Sequence, residues 1–246
     1  MNIQRHLEGK ILGINNAHPD DHIPHAHLLW KAHVLGVPVH ELVQTKGKAG
    51  KNLREGEHPV FSVKRGDRVK EGRASAKHMG IASYTQYDGQ DGELAKREKS
   101  VAQITAAWVK SKGINVLATL ATGDHADHDT TVRSSRLAAA ALWQEGYALD
   151  LLELQPKGTH REGDIVAEAT PDSMELAFTA AALNPSQFET FSGIQEDWPI
   201  VGGLSMEPDS FEGLRQYPIL EDAAYRLIPA GELLVAEATL VAPGVR

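Results

Sequence analysis

Residues 11–22 read ILGINNAHPDDH. The first seven, ILGINNA, have the length and apolar content of a short buried strand. The polar turn HPDD follows, and then a helix from about His22 to Leu35. Pro24 suits the first turn of that helix and Gly36 its C′ position. Strand, polar turn and helix in immediate succession are the opening of a βα unit.

The pattern continues outward. VPVHELVQT, residues 37–45, alternates as a second strand. Residues 46–66 carry Gly, Lys and Arg without a period and read as a long loop, with a short strand considered at Val60–Val63. From Asp67 to Met79 the residues Val69, Gly72, Ala76 and Met79 share one helical face. Residues around Tyr84–Gly92 read as a polar turn. A helix is expected from about Glu93 to Lys112, stopped by Gly113. INVLATL, 114–120, is a strand; a helix capped by Asp129 runs from there to Glu145; YALDLLEL, 147–154, is a further strand. Thr170-Pro171 starts a helix reaching Leu183, and LLVAEATLV near the end reads as a strand.

Alternating strands and helices predict an α/β fold: a Rossmann-like parallel sheet with helices on both faces. Residues 1–154 would form its core. Residues 155–246 would be an α+β extension packed on that core, all within one domain of 246 residues.

Composition narrows the function. The hydrophobic share is 41% and the chain has no cysteine, so disulfides, thiolate ligands and cysteine nucleophiles are excluded. Any metal must be held by nitrogen and oxygen. The net charge of -8 argues against a general nucleic-acid binder. No apolar run approaches the ~18–20 residues of a membrane span, and MNIQRHLEGK lacks the apolar stretch of a signal peptide. A cytoplasmic protein is expected. A homo-oligomer is compatible with the sequence.

Six of the twelve histidines lie between His18 and His40. His25, His27, His33 and His40 read as surface or partly packed histidines rather than ligands; so does His22, the strongest exception because it adjoins Asp21.

Two segments carry the chemistry: NNAHPDDH, 15–22, and GDHADHD, 123–129. Each follows a predicted strand and precedes a helix, so both emerge at the carboxyl edge of a parallel sheet, where ligands bind. Either motif alone reads equally well as a capped polar turn; the two together at one edge are far less readily accidental. His18 and Asp21 are near enough in one turn to hold one ion, and His125 and His128 come from the other loop. Two imidazoles and a carboxylate with open positions are a catalytic zinc set. The same donors suit a non-haem Fe(II) enzyme. A bound water, its pKa lowered toward ~7, would be the nucleophile. Asp20 is the candidate general base. If His128 binds the ion, His125 stands beside the reacting carbonyl, with Asp124 or Asp127 fixing its tautomer.

These residues resemble the PIG-L/LmbE-like N-acetylglucosaminyl deacetylases. The family signature, Ala-His-Pro-Asp-Asp-Glu and a later His-Pro-Asp-His, appears here as Ala17–His22 and as His125-Ala126-Asp127-His128. Weaker similarity runs through Thr45–Gly50, through Arg68 and Glu71 ahead of Met79-Gly80-Ile81, through Asp88-Gly89, and through Asn184–Gln187. The resemblance implies a Rossmann-like fold and zinc-dependent removal of acetyl from an N-acetylated amino sugar or glycoside. By it, His18, Asp21 and His128 would be the zinc ligands and Asp20 the base. His125 would stabilise the tetrahedral intermediate with Asp127 as its partner, while Arg68 and Asp88 would contact sugar hydroxyls. Three departures stand out: His22 replaces the usual glutamate, Lys48 stands where the glycine-rich loop of relatives often carries an acid, and the segment between that loop and Arg68 reads as longer than usual. The cations Lys46, Lys48, Lys51 and Arg54 are read as a solvated loop before an anion site. A non-catalytic sugar- or metal-binding protein of the same fold is the other reading.

Overall fold

Leu12–Asn16 form strand β1, and all five residues are buried. In the computed structural model, which describes residues 3–47, 67–120, 126–155, 161, 164–184 and 222–229, this strand lies inside a seven-stranded sheet. It pairs in parallel with β2 (Val39–Thr45) on one side and β4 (Val116–Thr119) on the other. Strand β3 (Ser83–Gly89) adds in parallel beyond β2, and β5 (Asp150–Leu154) beyond β4. Chain order therefore reverses between β1 and β4. The crevice outside the carboxyl ends of those two strands is the switch point where α/β sheets bind ligands.

Beyond β5 the sheet turns antiparallel. Strand β7 (Ala223–Ile228) runs against β5, and β6 (Ile165–Ala167) runs against β7. The fold is thus a mixed α/β sheet, mostly parallel, with helices on both faces. On one face pack α2 (Ala26–Val34), α3 (Arg68–His78) and α6 (Pro171–Ala182); on the other, α4 (Glu98–Lys112) packs on α5 (Ala126–Gln144). A short helix, α1 (Gln4–Leu7), precedes β1.

The two faces of β1 show how the sequence feeds both cores. Leu12 and Ile14 join Leu28, Leu29 and Phe178 on the α2 side. Each such side chain removed from water contributes roughly 1.5–3 kcal/mol. Gly13 faces the α4 side, where a Cβ would stand 2.7 Å from Ile114 and 3.0 Å from Trp108. A larger residue there would push β1 off the helix layer.

Several elements differ from expectation: the helix expected from Glu93 opens as a 3-10 turn, Leu94–Arg97, before α4, and the sequence does not announce β6 or β7. Residues 83–89 form a strand rather than a polar turn. Helix α5 begins at Ala126, so Asp129 lies inside its first turn rather than capping it. The helix expected from His22 opens as a 3-10 turn, Ile23–His25, before α2. The strands considered at Val60–Val63 and near the C-terminus lie outside the described residues.

Histidine placement is a further correction. His22, His25 and His27 are buried, not surface groups, and each has a polar partner. His25 Nδ1 lies 3.0 Å from the Tyr225 hydroxyl, and His27 Nδ1 lies 2.7 Å from Ser173 Oγ. In the same run, His33 is exposed and His40 half-buried. Their neighbours explain the buried three: His22 and His25 meet the sheet through Glu41 on β2 and Tyr225 on β7, and His27 meets α6 through Ser173.

His25 gives a pH prediction. Burial, the main cause, pushes its pKa down to about 3; Asp21 opposes the fall and His22 adds to it. The folded protein therefore holds His25 neutral, while the unfolded chain takes up a proton below its usual value. Stability from this group is present above that value and is lost as pH falls toward the depressed one. Relative to a His25→Asn variant, the wild type should lose about 2 kcal/mol between about pH 7 and pH 5. Urea unfolding of both proteins at the two pH values measures it. Parallel pH dependences would show that His25 is not neutral in the fold.

Candidate metal centre

The turn after β1 is held by its own backbone and by β2. The His18 amide donates to Asp21 Oδ2 at 2.7 Å, and the Ile23 amide to the Asp20 carbonyl at 3.1 Å. From β2, both the amide and the hydroxyl of Thr45 donate to the Ala17 carbonyl at 2.9 Å. These bonds set the side chains of His18, Asp20 and Asp21 at the carboxyl end of β1. After β4 the chain reaches α5, where Asp127 and His128 are buried in the first turn.

His18, Asp21 and His128 converge from these two segments. His18 Nδ1 lies 3.1 Å from His128 Nε2 and 3.4 Å from Asp21 Oδ2, and His128 Nε2 lies 3.3 Å from the same oxygen. A tetrahedral ion with bonds of about 2.0–2.1 Å sets its ligand atoms about 3.3–3.4 Å apart. The triangle of donors therefore fits a zinc-sized cation, and all three side chains are buried.

Asp91 reaches the other side of His18. Its Oδ1 lies 2.9 Å from His18 Nε2, with Asp127 Oδ2 at 3.7 Å. A proton held on Nε2 by a carboxylate leaves Nδ1 as the lone pair facing Asp21 and His128. The three groups are themselves close enough to hold an ion. Both Asp127 oxygens already accept backbone N–H groups, however, from Gly92 at 2.6 Å and Leu94 at 3.2 Å. Orientation of His18 is the better use of that side.

The protein's own charges follow this geometry. Desolvation disfavours the His18 imidazolium, but Asp21, Asp127 and Asp91 outweigh it and hold the pKa well above the usual value. Asp21 is held well below the carboxylate range by His128 and His18 against the cost of burial. Asp127 is lowered despite burial, through His18 and the two backbone amides.

Arg68, the first residue of α3, hydrogen-bonds Asp20 Oδ1 through Nη2 and the Gly47 carbonyl through Nη1 at 2.6 Å. Gly47 has φ of +64°, and a Cβ there would meet the guanidinium at 2.6 Å, so glycine makes the contact feasible. Beneath the turn, His22 Nδ1 lies 3.0 Å from Glu41 Oε1 on β2, and Nε2 bonds Ser75 Oγ on α3. Asn16 donates to the same Glu41 oxygen at 2.8 Å. Burial works against the His22 imidazolium, but Glu41, Asp20 and Asp21 together raise its pKa. The departure from the family signature at position 22 thus comes with a carboxylate supplied by the neighbouring strand.

Of the residues singled out in the sequence, His18, Asp20, Asp21, Arg68, Asp127 and His128 lie together. Asp88 is largely exposed and pairs with Lys46 at 2.7 Å. His125 and Lys48 lie outside the described residues. The sequence reading missed Asp91, Glu41 and Ser75. The Asp91-Gly92 turn signal is the pointer to the first.

A model of the family described as PIG-L, GlcNAc-PI de-N-acetylase, matches residues 15–139, just over half of the chain. No curated protein matches it. Among solved structures, the N,N'-diacetylchitobiose deacetylase from Pyrococcus horikoshii is similar with a TM-score of 0.60 at 17% identity, over 90% of this chain and 84% of that one. A deacetylase triple mutant from the teicoplanin biosynthetic pathway reaches 0.63 at 16%, over 89% and 98%. GalB, the 4-carboxy-2-hydroxymuconate hydratase from Pseudomonas putida, reaches 0.56 at 15%, over 89% and 96%. Identities this low establish a shared fold, and a hydratase among them shows that the fold does not name the reaction. No helix among the described residues is long and apolar enough to cross a membrane.

Proposed function

Because the chain belongs to the PIG-L, GlcNAc-PI de-N-acetylase family, we propose that it hydrolyses the N-acetyl amide of an amino sugar or its glycoside, releasing acetate and a free amine. The observation that carries this reading is the triangle of His18 Nδ1, Asp21 Oδ2 and His128 Nε2 at the switch point of the sheet. These three would hold Zn2+, and Fe2+ suits the same donors. When bound, the cation supplies a Lewis acid for the amide carbonyl and lowers the pKa of a water.

The other groups follow from position. Arg68 holds Oδ1 of Asp20, so Oδ2 is the atom that takes the proton of the attacking water. A C–O bond forms at the carbonyl carbon. The C–N bond then breaks as the amine nitrogen takes a proton from His125, assigned by its place three residues before His128. Asp91 and Asp127 keep the His18 ring in its orientation. By the family resemblance, Arg68 and Asp88 would meet sugar hydroxyls.

The test is acetate release from N-acetylglucosamine, its glycosides and diacetylchitobiose by the zinc-loaded protein. Turnover on at least one is expected. Zinc that binds in the wild type and is lost in His128→Ala, with no acetate from any substrate, would remove the hydrolase reading and leave a binding protein.

A further inference from the structure

Helix α3 lies along the back of the turn that carries the proposed ligands and touches it at three successive levels. Arg68 bonds Asp20, and Ser75 Oγ bonds His22 Nε2. Between them Gly72 lies against Pro19: a Cβ at position 72 would stand 2.5 Å from the Pro19 carbonyl oxygen and 2.6 Å from Pro19 Cβ. Residues 68, 72 and 75 fall on one helical stripe. The nearest obstacle is backbone and cannot swing aside. Helix formation itself disfavours glycine at an interior position, so the close approach is what requires it.

We propose that Gly72 is a positioning residue for the metal turn. Its missing side chain lets α3 sit near enough for Arg68 and Ser75 to hold Asp20 and His22 at once, and so fixes Asp21 between them relative to His128. This rests on the hydrolase reading above for what the turn binds and does.

The test uses the full chain with Gly72→Ala and Ser75→Ala. Zinc affinity is read by chelator competition, ligand geometry by the visible spectrum of the Co(II)-loaded protein, and turnover by acetate release. Gly72→Ala should weaken zinc binding and lower kcat by about 10-fold or more each, with an altered Co(II) spectrum. The melting temperature without metal should fall as well, because the helix propensity gained with alanine only partly offsets the clash with the Pro19 backbone. Ser75→Ala should move zinc affinity and spectrum in the same direction by less. Zinc affinity and Co(II) spectrum indistinguishable from wild type in Gly72→Ala would overturn the proposal. If that variant does not fold, unchanged affinity in Ser75→Ala overturns it. A wild type that binds zinc and loses it in both variants, yet releases no acetate, would support the positioning role and overturn the hydrolase reading. A wild type that binds no zinc would overturn both.

Discussion

Asp20→Asn is expected to lower kcat for acetate release by about 10²–10⁴-fold while zinc remains bound at wild-type stoichiometry. The amide keeps the shape of the carboxylate and an oxygen for Arg68, so the turn that presents His18 and Asp21 should persist. What disappears is a group able to take a proton. Asp20 is not one of the three converging donors, and its Oδ1 is already committed to the Arg68 guanidinium. Single-turnover kinetics with parallel metal analysis separates the effects. A kcat within ten-fold of wild type would deny Asp20 the role of base. Loss of zinc together with activity would make it a ligand or a structural support instead.

The second large effect concerns stability. Glu41 and His22 are fully buried and pair at 3.0 Å, with Asn16 on the same carboxylate oxygen. Glu41→Leu leaves an imidazole and an amide facing hydrocarbon, and should cost about 3–5 kcal/mol. For a chain of this size that corresponds to a fall of roughly 6–20 °C in melting temperature. Adding His22→Leu should recover part of the loss, because a buried pair is often replaced by apolar groups with little net change while half a pair is not. The double-mutant cycle measures the coupling. Additive effects of the two changes would mean that His22 and Glu41 do not depend on each other.

The strands that build the switch point were legible because they are interior. ILGINNA and INVLATL are short apolar runs bounded by polar turns, and β1 and β4 lie within them. Strand β3 was not legible: SYTQYDG sits at the sheet edge, half-buried along most of its length, so nothing forces an apolar alternation on it. Strands β6 and β7 are a three-residue piece and an alanine-rich segment over fifty residues later, and only their antiparallel pairing reveals them. At the site, the two motifs announced the donors that converge. The groups behind them were silent. Asp91 lies in an ordinary Asp-Gly turn, and Glu41 looks like a polar residue on an alternating strand. Their roles exist only once β2 and the turn after β3 are laid beside the segment after β1.

The pairing of β1 with β4 has a consequence beyond placement. The proposed ligands belong to two segments more than a hundred residues apart, tied across the sheet by the register Leu12–Asn15 to Val116–Thr119. A cation gripping both would act as a removable staple across the sheet. Free metal at a thousand times its dissociation constant would add about 4 kcal/mol to the folded state. The protein's resistance to heat would then track the trace metal content of its surroundings.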